Sequence, residues 1–132
     1  MDKSGAKKLF DDYMEGFKKN NLEQFLSALD EECHIIQPDG ISLKGKNKIK
    51  EWFELFWKEN RVNKLNVYSF YYLDLGEKIS FSEWDLTYSK THEQKSSINE
   101  AISIPKAISI VTYNDENITS IVEYQRTEQP HV

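Results

Sequence analysis

A phenol at Tyr13, a carboxamide at Gln37 and a carboxylate at Glu123 are the groups of this chain that could act together on a small organic molecule. A phenol donates a hydrogen bond while keeping its proton at neutral pH. A carboxamide donates and accepts but moves no proton, whereas a carboxylate can move one. Tyr13 lies on the apolar stripe of a helical pattern, so its ring would pack while its hydroxyl reaches a cavity. The alternative is a core tyrosine bonded to protein or water. Gln37 ends the strand-like run from Cys33 and precedes the turn Pro38-Asp39-Gly40, with Ile35 on its own face by period two. It could orient a ligand, or simply bond to the following loop. Alternation puts Ile121, Glu123 and Gln125 on one face of a last strand. Glu123 is either a carboxylate held in an apolar site, where its pKa would rise, or a solvated surface acid.

Weaker candidates are Glu83 and Asp85, which flank Trp84 but share parity with Ile79 and Phe81, leaving the pleat ambiguous. His34 has the opposite parity to Gln37. His92 falls in a polar hairpin and His131 in the tail. No His or carboxylate cluster has metal-ligand spacing, no glycine-rich phosphate loop is present, and no serine sits in a nucleophile elbow. Neither a metal nor a cofactor is expected. Cys33 reads as a small buried apolar residue.

The 132 residues make one domain, large enough to bury roughly two thirds of the unfolded surface without metal or disulfide. Residues 1–4 and 128–132 are expected to be flexible ends. A net charge of −5 argues against nucleic acid, which needs a basic patch. The cluster Lys44, Lys46, Lys48 and Lys50 reads as the solvated start of a helix. A single cysteine excludes an intrachain disulfide. The N-terminus lacks the apolar core of a signal peptide, and no apolar run approaches the ~20 residues that cross a bilayer. The expected address is the cytoplasm, with no membrane partner.

Ala6, Leu9, Phe10, Tyr13, Met14 and Phe17 recur at helical spacing, and Asn20-Asn21 stops that helix. Leu22, Phe25, Leu26 and Leu29 mark a second helix, with Gln24 placed to complete a capping box from Asn21. The charged turn Asp30-Glu31-Glu32 then leads into the short strand ending at Gln37. Ile49, Trp52, Phe53 and Phe56 give a third helix, its apolar face widened by Leu55 and Trp57. Residues 64–73, 77–88, 99–113 and 117–126 are rich in β-branched and aromatic side chains and are separated by turn signals. Helices first and strands afterwards predict an α+β fold, with three N-terminal helices packed on a curved antiparallel or mixed sheet.

With these elements placed, the chain resembles the SnoaL-like branch of the NTF2-like superfamily, the cystatin-like cone that includes ketosteroid isomerases and polyketide cyclases. The resemblance rests on Asn20-Asn21-Leu22-Glu23, on His34-Ile35-Ile36-Gln37-Pro38-Asp39-Gly40, on Leu43-Lys44-Gly45, and on the final strand from Ile118 to Tyr124. It covers nearly the whole chain and implies a cone with an internal pocket. By that resemblance the isomerases' oxyanion-binding tyrosine falls on Tyr13, their catalytic aspartate on Gln37, and their second acid near Ser109. An amide cannot shuttle a proton as a carboxylate does, which argues against the isomerase reaction by that route. The resemblance also turns the face of Ile121, Glu123 and Gln125 into the pocket. The expected lining is then Tyr13, Phe17, Ile35, Gln37, Trp52, Phe53, Phe56, Trp84, Ser109, Val111, Ile121, Glu123 and Gln125.

In the segment Ala101 to Val111 both parities are mostly apolar: Ile102, Ile104, Ile108 and Ile110 on one face, Ala101, Ala107 and Val111 on the other. A solvated antiparallel sheet alternates, so both faces here want cover, and a homodimer through the outer sheet face is expected. Two functions remain in play. One is a pocket for a small hydrophobic or aromatic ligand bearing a carbonyl or hydroxyl, with isomerase, cyclase or dehydratase chemistry through Glu123 and Tyr13. The other is a non-catalytic dimeric module with a filled cavity.

Overall fold

Asp2 opens the first helix, α1 (Lys3–Lys18), by accepting the Gly5 N–H at 2.9 Å. Residues 3 and 4, expected in a loose end, are therefore helical. The computed structural model describes residues 1–91 and 101–125. Ala6, Phe10, Tyr13, Met14 and Phe17 form the buried stripe of α1, while Lys7–Asp11 and Lys8–Asp12 pairs occupy the wet face. Asn20, in the left-handed conformation at φ 55°, ends the helix. Asn21 then caps α2 (Leu22–Ser27), accepting the Gln24 N–H at 3.1 Å. The return half of the expected capping box is missing, because the Gln24 side chain donates to Asp12 at 3.1 Å instead.

The second helix is shorter than its apolar spacing implied. Leu29 already belongs to β1 (Leu29–Ile36), pairing with Ile118 of the last strand. The acidic run Asp30-Glu31-Glu32, expected as a turn, is part of β1. An irregularity between Leu29 and His34 accommodates it, with Cys33 and Ile35 turned inward. Past Ile36 the chain makes a tight turn: Gln37 exchanges backbone hydrogen bonds with Gly40 and Ile41 at 2.8 Å each, and Gly40 takes φ 88°. This turn returns into β2 (Ser42–Lys44), which the sequence reading missed because three residues are too few to show alternation. Gly45 leads into α3 (Lys46–Glu59), which buries Ile49 and Phe53. Leu55, expected to widen the apolar face, is instead 56% exposed.

The remaining strands are β3 (Asn60–Asp74), β4 (Lys78–Lys90), β5 (Ala101–Tyr113) and β6 (Ile118–Tyr124). The sheet order is β2-β1-β6-β5-β4-β3, with β1 and β6 parallel and the other pairs antiparallel. The fold is thus the expected α+β cone with a mixed sheet. The polar hairpin with His92, the tail with His131, and the ends of the strands expected at 99–113 and 117–126 lie wholly or partly outside the described residues. Among those residues, no helix is long and apolar enough to cross a membrane.

The pleat of β4 resolves the parity question. Ser80, Ser82, Trp84 and Leu86 are buried, so Ile79, Phe81, Glu83 and Asp85 face outward. In β5 the parity changes part-way. Trp84 pairs with Ala107 but Leu86 pairs with Ile104, and Lys106 between them sits at φ 55°. This β-bulge puts Ile104 on the inner face with Ala107, Ser109 and Val111, not on the outer face with Ile108 and Ile110 as simple alternation had it.

The helices close the concave side through aromatic contacts. Tyr13 stacks on Phe25 at 4.9 Å between ring centroids, and Phe25 meets Phe53 at 4.6 Å. The approach of α1 to α2 depends on Gly16: a Cβ there would lie 2.4 Å from the Phe25 nitrogen and 2.7 Å from its Cα. Backbone atoms cannot swing aside as a flexible side chain can. Gly16→Ala should therefore destabilise the fold by about 2–4 kcal/mol, seen as a lower urea midpoint at unchanged slope. A variant as stable as the parent would show that the two helices separate freely.

Candidate functional site

Between α1, α3, the 37–39 turn and the wide end of the sheet lies an open cavity of about 330 Å³. Aromatic walls come from three directions: Tyr13 and Phe17 on α1, Trp52 and Phe56 on α3, Trp84 and Tyr88 on β4. Their packing is continuous, with Phe17 stacked on Trp52 at 5.7 Å and against Phe56 at 4.9 Å. Met14, Leu65, Leu86 and Ile104 complete the apolar surface, and Gln37, Pro38, Asp39, Glu123 and Gln125 surround them. An apolar cavity with a few converging polar groups is the usual form of a small-molecule site.

Glu123 projects from β6 into this surface. Burial pushes its carboxyl up to about 7, against the opposing pull of a hydrogen bond from the Ser109 hydroxyl at 3.4 Å. Ser109 is fully buried and in turn accepts the indole N–H of Trp84 at 2.8 Å. The Tyr13 phenol is raised well above its ordinary value, first by burial and then by the charge of Glu123. It keeps its proton throughout the neutral range.

The expected lining divides into two groups. Tyr13, Phe17, Gln37, Trp52, Phe56, Trp84, Glu123 and Gln125 meet at the cavity. Ile35, Phe53, Val111 and Ile121 do not, because the cone narrows behind Tyr13 and these side chains fill its closed end, each at most 2% exposed. Ser109 sits behind Glu123, not in the cavity wall. Facing inward is thus necessary for reaching the cavity but not sufficient, since depth along the strand decides the rest.

The outward acids are likewise accounted for. Asp85 accepts the Tyr68 hydroxyl at 2.6 Å and the Lys106 N–H at 2.7 Å, and Glu83 is exposed. His34 bonds to Ser42 at the β1–β2 pairing. Cys33 is fully buried, and burial pushes its thiol up to about 12, which suits an inert core residue. Among the described residues, no His, Cys, Asp and Glu side chains cluster as a metal site would require.

Sequence reasoning missed Met14, Pro38, Asp39, Leu65, Leu86, Tyr88 and Ile104. Leu86 and Tyr88 were within reach, since they share the parity of Trp84. Ile104 was hidden by the bulge.

No family model matches the sequence, and no curated protein matches it. Solved structures do resemble it. A candidate polyketide cyclase from Xanthomonas campestris pv. campestris superposes with a TM-score of 0.71 at 15% identity, over 92% of this chain and 90% of its own. A candidate SnoaL-like polyketide cyclase from Shewanella putrefaciens CN-32 gives 0.66 at 11%, over 90% and 88%. A protein of ketosteroid isomerase-like fold from Catenulispora acidiphila, in complex with trimethylamine, gives 0.67 at 11%, over 89% and 84%. At such identities the likeness is one of architecture: this chain has the cone fold of the SnoaL-like and ketosteroid isomerase-like proteins.

Proposed function

We propose that the cavity binds a small apolar or aromatic molecule bearing a carbonyl or hydroxyl group, and that Glu123 exchanges a proton with it. The observation that carries this reading is that Tyr13 and Glu123 share one aromatic-walled cavity, with the carboxyl held near neutrality. A base with a pKa close to ambient pH is present in both protonation states, which is what general acid–base work requires. Glu123 would take a proton from a carbon next to the ligand's carbonyl. Tyr13 would donate its hydrogen bond to the oxygen on which negative charge develops. Gln37, where the isomerases have their aspartate, would orient the ligand and move no proton. Isomerisation, cyclisation and dehydration all fit this division of labour. The Catenulispora neighbour, in complex with trimethylamine, is a case in which this architecture goes with a small organic molecule.

A second reading, a non-catalytic dimeric module, is favoured by the amide at Gln37 and by the outer sheet face. Tyr71, Leu73, Ile108 and Tyr124 are 64%, 46%, 40% and 55% exposed there, beside half-buried Phe81, Ile110 and Val122. So much exposed apolar surface suits association with a second copy. Under either reading we place a homodimer on this face.

Thermal-shift screening of aromatic ketones and alcohols should find compounds that raise the melting temperature of the protein, with Trp52→Ala removing the effect. Failure of all of them would favour the module. With a turned-over compound in hand, Glu123→Gln should lower the rate by roughly 10²–10⁴; an undiminished rate would take Glu123 out of the reaction.

The carboxyl also has a signature in stability. Its pKa is about 7 folded against an ordinary 4.5, so the wild type loses stability as pH rises through that window and levels off above it. Glu123→Gln should therefore be more stable than wild type at pH 8 by roughly 1–3 kcal/mol, an advantage that vanishes near pH 4. A gap independent of pH in melts across this range would contradict it. In sedimentation at micromolar concentration the protein should run as a dimer and Ile108→Lys as a monomer. A monomeric wild type would exclude the outer-face contact.

A further inference from the structure

A hydrogen-bonded chain that the proton-carrier reading does not use runs from Trp84 through Ser109 to Glu123. Ser109 and Glu123 are direct cross-strand partners between β5 and β6, and Trp84 on β4 lies diagonally across from Ser109 on the same face. The contacts run in one direction. An indole N–H can only donate, so at 2.8 Å it occupies a lone pair of the Ser109 oxygen. The serine's own proton is then left to point at the Glu123 Oε2, 3.4 Å away. Trp84 and Ser109 are 6% and 0% exposed, so water does not rearrange this pattern.

We propose that Trp84 and Ser109 are positioning residues that commit Oε2 of Glu123 to a received hydrogen bond, leaving Oε1 as the oxygen that exchanges a proton with a cavity ligand. The inference rests on the reading of Glu123 as proton carrier and specifies which atom of it works. A proton taken from a ligand forms its bond to Oε1. The electron pair of the broken bond stays on the ligand, and the Ser109 hydroxyl keeps its own proton. An acid free to rotate could bind the proton on either oxygen; one anchored at Oε2 presents a single oxygen to the cavity and loses less freedom in the reactive geometry. The chain also holds Glu123 in a form that can lose its proton, since donation from Ser109 favours the carboxylate against the burial that disfavours it.

The other titratable groups that line the same cavity are Tyr13 from α1, whose phenol feels the Glu123 charge, Tyr88 from β4 and Asp39 from the 37–39 turn. None of them is a cation, so among these neighbours the Ser109 hydrogen bond is what opposes burial. Ser82 of β4, in register with Ser109 of β5, is buried with no partner for its hydroxyl among the described residues and is the natural control.

The test is a carboxyl ¹³C titration of glutamate-labelled, ligand-free protein. The wild-type Glu123 midpoint should lie at about 7. Ser109→Ala should raise it by roughly one unit, Trp84→Phe should raise it by less, and Ser109→Thr, which keeps the hydroxyl, should restore it. Ser82→Ala should leave it in place. A merely structural Ser109 would lower the melting temperature without moving the midpoint. A midpoint unmoved in Ser109→Ala, or moved equally by Ser82→Ala, overturns the proposal. If Ser109→Ala fails to fold, the Trp84→Phe and Ser109→Thr titrations decide by the same criteria. Because the titration needs no ligand, the two ideas fail separately. A midpoint that follows Ser109 while no compound enters the cavity leaves the chain standing and removes the ligand reading. A compound that binds while the midpoint ignores Ser109 does the reverse.

Discussion

The wall of the cavity depends on the point where β5 carries an extra residue opposite Asp85. Lys106 accepts a left-handed backbone there that costs a non-glycine residue of order 1 kcal/mol. The Asp85 carboxylate offsets that cost by accepting the Lys106 N–H and the Tyr68 hydroxyl, which holds the acid below its usual range. One outward-facing acid thus stabilises the irregularity that brings Ile104 and Ala107 to the same inner surface. Without the bulge, continuous alternation would turn Ile104 out of the cavity wall and flatten the strand against its neighbours. The acid that looked like a candidate for chemistry serves the architecture instead.

Within the bend, the inner face is graded. Its closed end is filled by Phe10, Phe25, Phe53, Val111, Ile118 and Ile121, all nearly inaccessible. Its open end keeps aromatic rings apart around unfilled space. Polar groups appear where the two regimes meet: Ser80 bonded to Tyr113, Ser109 between Trp84 and Glu123, and the unpartnered hydroxyl of Ser82. Buried hydroxyls in a core usually find partners, and this row does so mainly across strands. Glu123 lies at that boundary, close enough to the apolar filling to be desolvated and itself part of the cavity wall.

The outer face of the same strands follows a different rule. Tyr71, Leu73, Ile108 and Tyr124 are exposed there, and Thr112 bonds to Thr119 and Ser120 across β5 and β6. Inner and outer faces of one strand therefore differ in kind, with core and cavity wall on one side and exposed apolar side chains on the other.

Helical spacing, the Asn20-Asn21 stop, the Pro38-Asp39-Gly40 turn and the β-rich second half were legible in the chain, because each depends on neighbours within a few residues. They were enough for the α+β cone and for Tyr13 and Gln37 as inward groups, while alternation left the pleat around Trp84 ambiguous and only the resemblance turned it inward. Alternation likewise placed Glu123 on one face with Ile121. Three features were not legible. The β5 parity switch needs the Asp85 carboxylate from another strand, the strand character of Asp30-Glu31-Glu32 needs the β6 pairing of Leu29 and His34 on either side of it, and the depth that separates Ile121 from Glu123 is a property of the closed cone. Local sequence encodes which side of an element is apolar; how far along that side a residue meets filled core or open cavity is settled only when distant strands and helices converge.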